Sequence, residues 1–123
     1  MDYSELASYL RSHRRQSGLS QRELGSLLGY PDKGQISRHE RLATMPSLLT
    51  ALSYQAIFRV PIAELFPGVY EAVKQAVEER LAKMEAEWHE SAVEGPDADL
   101  IARKLEWCWE RQNLDHPDLQ NAS

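Results

Sequence analysis

Sulfur is scarce in this 123-residue chain, whose one cysteine is Cys108. A single thiol closes no internal disulfide and lacks the second sulfur of a thiolate zinc site, so a reducing compartment is expected. No stretch approaches the roughly 18 consecutive apolar residues of a membrane span. The N-terminus, MDYSELASYL, also lacks the basic segment and apolar run of a secretory leader. A cytoplasmic protein without membrane association is the expectation. His13, His39, His89 and His116 have no ligand spacing among themselves or with Cys108, and His89-Glu90 lacks the second histidine of a metalloprotease helix. Neither a glycine-rich nucleophile turn nor a phosphate loop is present. The sequence therefore predicts no metal, no cofactor and no enzymatic activity.

What is present suffices for one modest core: 42% of residues are hydrophobic, too few at this length for two independent cores. The net charge of −5 averages two unlike halves. Residues 1–67 carry eight Lys and Arg against six Asp and Glu, whereas 68–123 carry six against thirteen. The front half, at +2, can face phosphates, and the back half, at −7, repels them. Two domains are expected: 1–67, and an acidic helical extension over 68–123 ending in a polar tail.

Apolar periodicity places the elements. Leu6, Ala7, Leu10 and Arg14 share a face of a first helix starting at Ser4, and Ser17-Gly18 ends it. Ser20 and Glu23 form the Ser-x-x-Glu capping box of a second helix with Leu24, Leu27 and Leu28 inward, closed by Gly29. Pro31 breaks the chain, and Asp32 is a good N-cap for a third helix from Lys33 to about Arg41. Ile36, His39 and Glu40 turn inward there. Ser47 caps a fourth helix with Leu48, Ala51, Leu52 and Ile57 at core spacing; Pro61 opens a short fifth, and Pro67-Gly68 closes the domain. In the extension, Val73, Val77, Leu81, Met84 and Trp88 stripe one helix. Gly95-Pro96-Asp97 interrupts, and Ala98, Ile101, Ala102, Leu105, Cys108 and Trp109 mark one side of the last.

The third helix leaves Lys33, Gly34, Gln35, Ser37, Arg38 and Arg41 outward. The DNA major groove admits one helix. There glutamine pairs with adenine and arginine or lysine with guanine, each good pair giving roughly 1–3 kcal/mol of discrimination. Gly34 permits close backbone approach. Gln21 sits at the second helix's N-terminus, where backbone N–H groups and the helix dipole favour a phosphate. Arg15, Arg22 and Arg41 are further phosphate candidates, as is Arg11. Base contacts are expected from Lys33, Gly34, Gln35, Ser37 and Arg38.

From Leu10 to Phe66 the chain resembles the Cro/CI-type (XRE-like, lambda-repressor-like) helix-turn-helix regulators. The resemblance rests on Leu19-Ser20-Gln21-Arg22-Glu23-Leu24, Leu27-Leu28-Gly29, Ile36-Ser37-Arg38-His39-Glu40-Arg41, Pro46-Ser47-Leu48 and Pro61-Ile62-Ala63-Glu64-Leu65-Phe66. It implies an all-α fold, with a five-helix DNA-binding domain followed by the two-helix extension. It also implies that Gln21 touches backbone or bases, that Lys33, Gln35, Ser37 and Arg38 face the groove, and that Arg14 and Glu40 form a structural ion pair. The chain departs from the family pattern in three places. Gly29 to Ile36 is one residue longer, His39 replaces an apolar or aromatic residue, and Phe58-Arg59 replaces Leu-Gly.

Two striped helices without a third to cover them would expose a large apolar patch. The leading expectation is a dimeric, sequence-specific transcriptional regulator acting as a repressor on double-stranded DNA. Its interface is assigned to Val73, Val77, Leu81, Met84, Trp88, Ile101, Leu105 and Trp109. The alternative is an antitoxin-like or anti-regulator protein whose acidic C-terminal half binds a partner protein. Trp107 and Trp109, being neighbours on a helix, cannot both bury against one surface, so one is expected to meet a partner.

Overall fold

The computed structural model describes residues 6, 8–30, 33–91 and 95–114. Among these, seven helices and no strand are present: α1 (Leu10–Gln16), α2 (Gln21–Leu28), α3 (Gly34–Glu40), α4 (Leu48–Phe58), α5 (Ile62–Leu65), α6 (Pro67–Ser91) and α7 (Ala98–Leu114). The all-α class expected from the sequence is observed. The chain divides into two compact units, 1–74 and 75–123.

The first unit is organised around Leu10, Leu24, Ile36, Leu42, Tyr54, Leu65 and Phe66, all but sealed from solvent. Helices α1 to α5 each contribute at least one of these, so short helices that would be marginal alone are held by shared burial. One such side chain contributes roughly 1.5–3 kcal/mol on leaving water. The cap of α2 forms as its sequence dictates: Glu23 N–H donates to Ser20 Oγ, and Ser20 N–H donates to Glu23 Oε1, both at 3.0 Å. At the other end Gly29 takes φ +80°, and the Tyr30 N–H reaches back to the Gly25 carbonyl at 2.9 Å. That left-handed wrap favours glycine.

Five local expectations are corrected. On α2 Leu24 is sealed and Leu28 partly covered, but Leu27, expected inward, is exposed. The first helix begins at Leu10, not Ser4; the Tyr9 N–H is spent on the Leu65 carbonyl (2.8 Å), tying the preceding segment to α5. Ser4 and Ala7 lie outside the described residues, as do Pro31 and the expected N-cap Asp32. Helix α3 runs from Gly34 to Glu40, with Lys33 and Arg41 as its flanking residues. On α4 the buried face is Thr50, Ala51 and Tyr54, while Leu48 and Leu52 are exposed. Thr50 and Tyr54 have the same spacing as Leu48 and Leu52, and their polar ends find partners inside. Pro67 and Gly68 start α6 rather than stop the chain, because a proline in the first turn forfeits an N–H that has no helical partner there.

In the second unit, α6 from residue 75 onward runs antiparallel to α7. Arg111 donates to both carboxylate oxygens of Glu78 (2.5 and 3.2 Å), and the Lys104 ammonium lies 5.3 Å from the Trp88 ring centre. Of the expected α7 face, Ala98, Ile101, Leu105 and Cys108 are at least partly covered, whereas Ala102 and Trp109 are exposed. Cys108, 1% exposed, is the one buried residue described in this unit.

Candidate nucleic-acid interface

Helix α3 is seven residues long, so its direction depends on what grips it. From α1, Arg14 donates to Glu40 through Nε (2.5 Å) and Nη2 (3.3 Å), and its Nη1 donates to the Leu19 carbonyl (2.9 Å). The ion pair implied by the family resemblance is present and nearly sealed from water. Gln21 Nε2 adds a third donor to Glu40, at 3.0 Å. One carboxylate thus ties α1, the start of α2 and the end of α3 together. Such a buried charge is tolerated only because its lone pairs are met.

The opposite side of α3 is gripped by α4. His39 Nδ1 and the Tyr54 hydroxyl share a hydrogen bond of 2.8 Å, with the two rings edge to face. The Tyr30 ring closes on His39 from the connection before α3, and its hydroxyl bonds Thr50 Oγ1 (2.6 Å), which also accepts from Ser47 Oγ (3.1 Å). Burial, with a smaller contribution from neighbouring Arg38, lowers the His39 pKa, so the imidazole is held neutral. Burial likewise pushes the Tyr54 phenol up, which keeps its proton in place. His39 is a core histidine.

With Ile36, His39 and Glu40 turned inward, α3 presents its other edge. Lys33 and Arg38 are exposed, and Gly34, Gln35 and Ser37 are partly covered; Arg41 is exposed just past the helix end. Beside this edge an open cleft of about 370 Å³ is lined by Arg11, Arg14, Arg15, Arg22 and Lys33 with Ser20 and Gln21. Arg14 is neutralised by Glu40. The other four cations form no ion pair among the described residues. The cleft also lies at the N-terminus of α2, where the capping box engages the N–H groups of Ser20 and Glu23. Those of Gln21 and Arg22, in the first turn, have no intrahelical acceptor to reach. Positive side chains, first-turn N–H groups and the helix dipole converge there, which is the chemistry that holds a phosphate.

Every candidate base or phosphate residue except Arg41 and the α3 residues after Lys33 therefore borders this one cleft. Gln21 alone among them has its amide N–H committed, to Glu40. The residues that sequence reasoning missed are Tyr30, Thr50 and Tyr54, which seat α3 through His39. The signal was a set of polar-tipped side chains spaced four apart on α4, indistinguishable by period from the leucines beside it.

Of the expected interface, Val73 falls in the first unit, near the start of α6, and is exposed; in the second unit Val77, Met84 and Trp109 are exposed, and Leu81, Trp88, Ile101 and Leu105 are partly covered. Val77, Leu81, Met84 and Trp107 line an open, mostly apolar cleft of about 280 Å³ with Arg80 and Arg111. Both Trp107 (50%) and Trp109 (65%) face solvent around buried Cys108. Among the described residues there is no metal-binding group of His, Cys, Asp and Glu, and no helix is long and apolar enough to cross a membrane. No protein-family model, curated protein or solved structure matches the chain.

Proposed function

We propose that the chain is a sequence-specific DNA-binding regulator of the helix-turn-helix kind, with 1–67 as a lambda-repressor-like domain and 68–123 as its extension. One observation carries the reading: α3 is gripped on its inner side from α1 and α4, its outer edge of Gln35, Ser37 and Arg38 is left at least partly open, and Lys33 at its start lines the basic cleft. In the major groove that edge reads bases, and Arg15, Arg22 and Arg41 with the α2 N-terminus hold phosphates. Gly34 lets the α3 backbone come close. The Arg14–Glu40–Gln21 cluster fixes the angle between the two helices rather than reading sequence itself.

Under this reading the protein is a repressor that works as a homodimer in the cytoplasm, needs no cofactor and catalyses nothing. Dimerisation through Val73, Val77, Leu81, Met84, Trp88, Ile101, Leu105 and Trp109 sets two α3 helices on half-sites one helical turn apart, roughly 34 Å. A second reading is favoured by the two exposed tryptophans on an acidic unit: an antitoxin-like protein whose C-terminal half captures a basic partner protein.

The test is fluorescence anisotropy with duplex DNA from upstream of the chain's own gene, at two salt concentrations, for wild type and Gln35→Ala/Arg38→Ala. Tight, salt-weakened binding is expected, reduced to the non-specific level by the double substitution. Absence of saturable binding to this DNA and to random duplexes moves the weight to the protein-partner reading.

A further inference from the structure

The three tryptophans of the second unit differ in what lies over their rings. The Lys104 ammonium sits 5.3 Å from the Trp88 ring centre, and the Arg111 guanidinium 5.6 Å from that of Trp107. Each of these rings receives a cation from the chain itself, the contact that the negative face of an indole favours. Trp109, 65% exposed and the most open of the three, receives none among the described residues.

Carboxylates surround it instead. At roughly 100° per residue, Asp99, Ala102, Glu106, Trp109, Glu110 and Asn113 fall in one arc of α7, which holds no lysine or arginine. Asp99, Glu106 and Glu110 are exposed and form no ion pair among the described residues. An open cleft of about 360 Å³ is lined by Trp109, Glu110, Asn113 and Leu114.

A bare ring face and unpaired carboxylates call for the same thing, a cation. A second copy meeting this arc through a twofold contact would set Glu106 and Glu110 near their own images, and a DNA backbone would be repelled. Arginine fits best, because its planar guanidinium stacks on an indole while its N–H groups donate to a carboxylate as a fork. One open ring does not enclose a small ammonium ligand as an aromatic cage does, so neighbouring contacts along a chain have to hold the cation in place.

We propose that Trp109, with Glu106 and Glu110, receives an arginine from a basic segment of a partner protein. Trp109 then serves the partner contact rather than the homodimer interface assigned above. This site rests on the protein-partner reading of the acidic unit and gives that reading its residues.

Anisotropy of a fluorescein-labelled tetra-arginine peptide titrated with the full chain tests this, with tetralysine and uncharged tetracitrulline peptides as comparison probes. Wild type is set beside Trp109→Ala, Trp109→Phe and Glu106→Gln/Glu110→Gln. A further variant, Glu87→Gln/Glu90→Gln, removes the same charge from exposed positions on α6. All these side chains face solvent, and far-UV circular dichroism checks that each variant keeps its helices. Saturable, salt-weakened binding of tetra-arginine is expected, tighter than that of tetralysine, with none of tetracitrulline. Trp109→Ala weakens it about fivefold and Glu106→Gln/Glu110→Gln about tenfold, whereas Trp109→Phe costs less than Trp109→Ala, and Glu87→Gln/Glu90→Gln less than about twofold. Binding that the Trp109 and Glu106/Glu110 variants keep, or that the α6 variant loses equally, overturns the site and leaves the protein-partner reading standing. Absence of saturable binding of both cationic peptides removes the property on which site and reading both rest. A wild type that self-associates in sedimentation at low salt, with Trp109→Ala monomeric, gives the ring to a second copy and overturns the partner protein as its occupant.

Discussion

The two units of this chain solve the burial problem differently. In residues 1–74, seven apolar side chains from several elements converge, and even the charged Arg14 and Glu40 are enclosed and paired. In residues 75–123, two helices lie side by side with Cys108 as the one buried residue described, and their best ion pair, Arg111–Glu78, is partly open to water. Five short elements enclose a volume, whereas two long ones share only a seam. The first unit is thus built to hold α3 in one orientation, and the second to present surface. The aromatic residues make the contrast measurable: all five tyrosines lie in 1–74 and all three tryptophans in 75–123. Tyrosine circular dichroism and tryptophan fluorescence each report one unit.

The largest effect comes from Glu40→Ala, which leaves Arg14 buried without its carboxylate. A loss of about 3–5 kcal/mol is expected in tyrosine-detected unfolding, with the tryptophan signal unmoved. Tyr54→Phe strands His39 Nδ1 in the core and is expected to cost about 1–3 kcal/mol in the same signal. Acid acts on the same pair. Because the His39 pKa is lowered from 6.5 in the folded state, the unfolded chain takes up the proton first as pH falls. The stability tied to neutral His39 is complete above about 6.5 and is lost as pH drops toward the depressed folded value. His39→Gln is expected to flatten that part of the tyrosine-detected pH profile.

A gain is expected from Arg59→Gly. Arg59 ends α4 with φ +58°, a left-handed conformation that is costly for a residue with a Cβ. Relief of that strain, less the added freedom of the unfolded glycine, should raise the tyrosine-detected stability by up to about 1 kcal/mol. The smallest change is Glu78→Gln in the second unit. Its partner Arg111 is only partly covered, so a shift of less than about 1 kcal/mol is expected, confined to tryptophan fluorescence. A common transition for both probes in all variants would show that the units unfold as one and break the contrast.

Features governed by a few neighbouring residues were legible in the sequence. The Ser20–Glu23 capping box, the Gly29 stop and the break at Gly95-Pro96 each depend on local chemistry that no distant contact overrides. The Arg14–Glu40 pair was legible only through the family resemblance, since nothing local joins residues 26 positions apart. Apolar period misplaced the inner face of α4. It ranks leucine above threonine and tyrosine, but the inner face was decided by His39 and Tyr30, which offer hydrogen bonds to Thr50 and Tyr54. Pro67 misled for a related reason: a proline ends a helix from within but is at home in the first turn. In the candidate site, the outward residues of α3 followed from Ile36 turning inward. The commitment of the Gln21 amide to Glu40 had no sequence signal.

The central claim is that the outer edge of α3 reads DNA sequence while the neighbouring cations supply affinity without reading it. Selection from a pool of random duplexes, run in parallel with wild type, Gln35→Ala/Arg38→Ala and Arg15→Ala/Arg22→Ala, tests both halves. The account predicts one enriched motif with wild type, loss of that motif with the α3 double variant, and the same motif at reduced affinity with the arginine double variant. Wild type that enriches nothing, or an α3 double variant that enriches the wild-type motif unchanged, would contradict it.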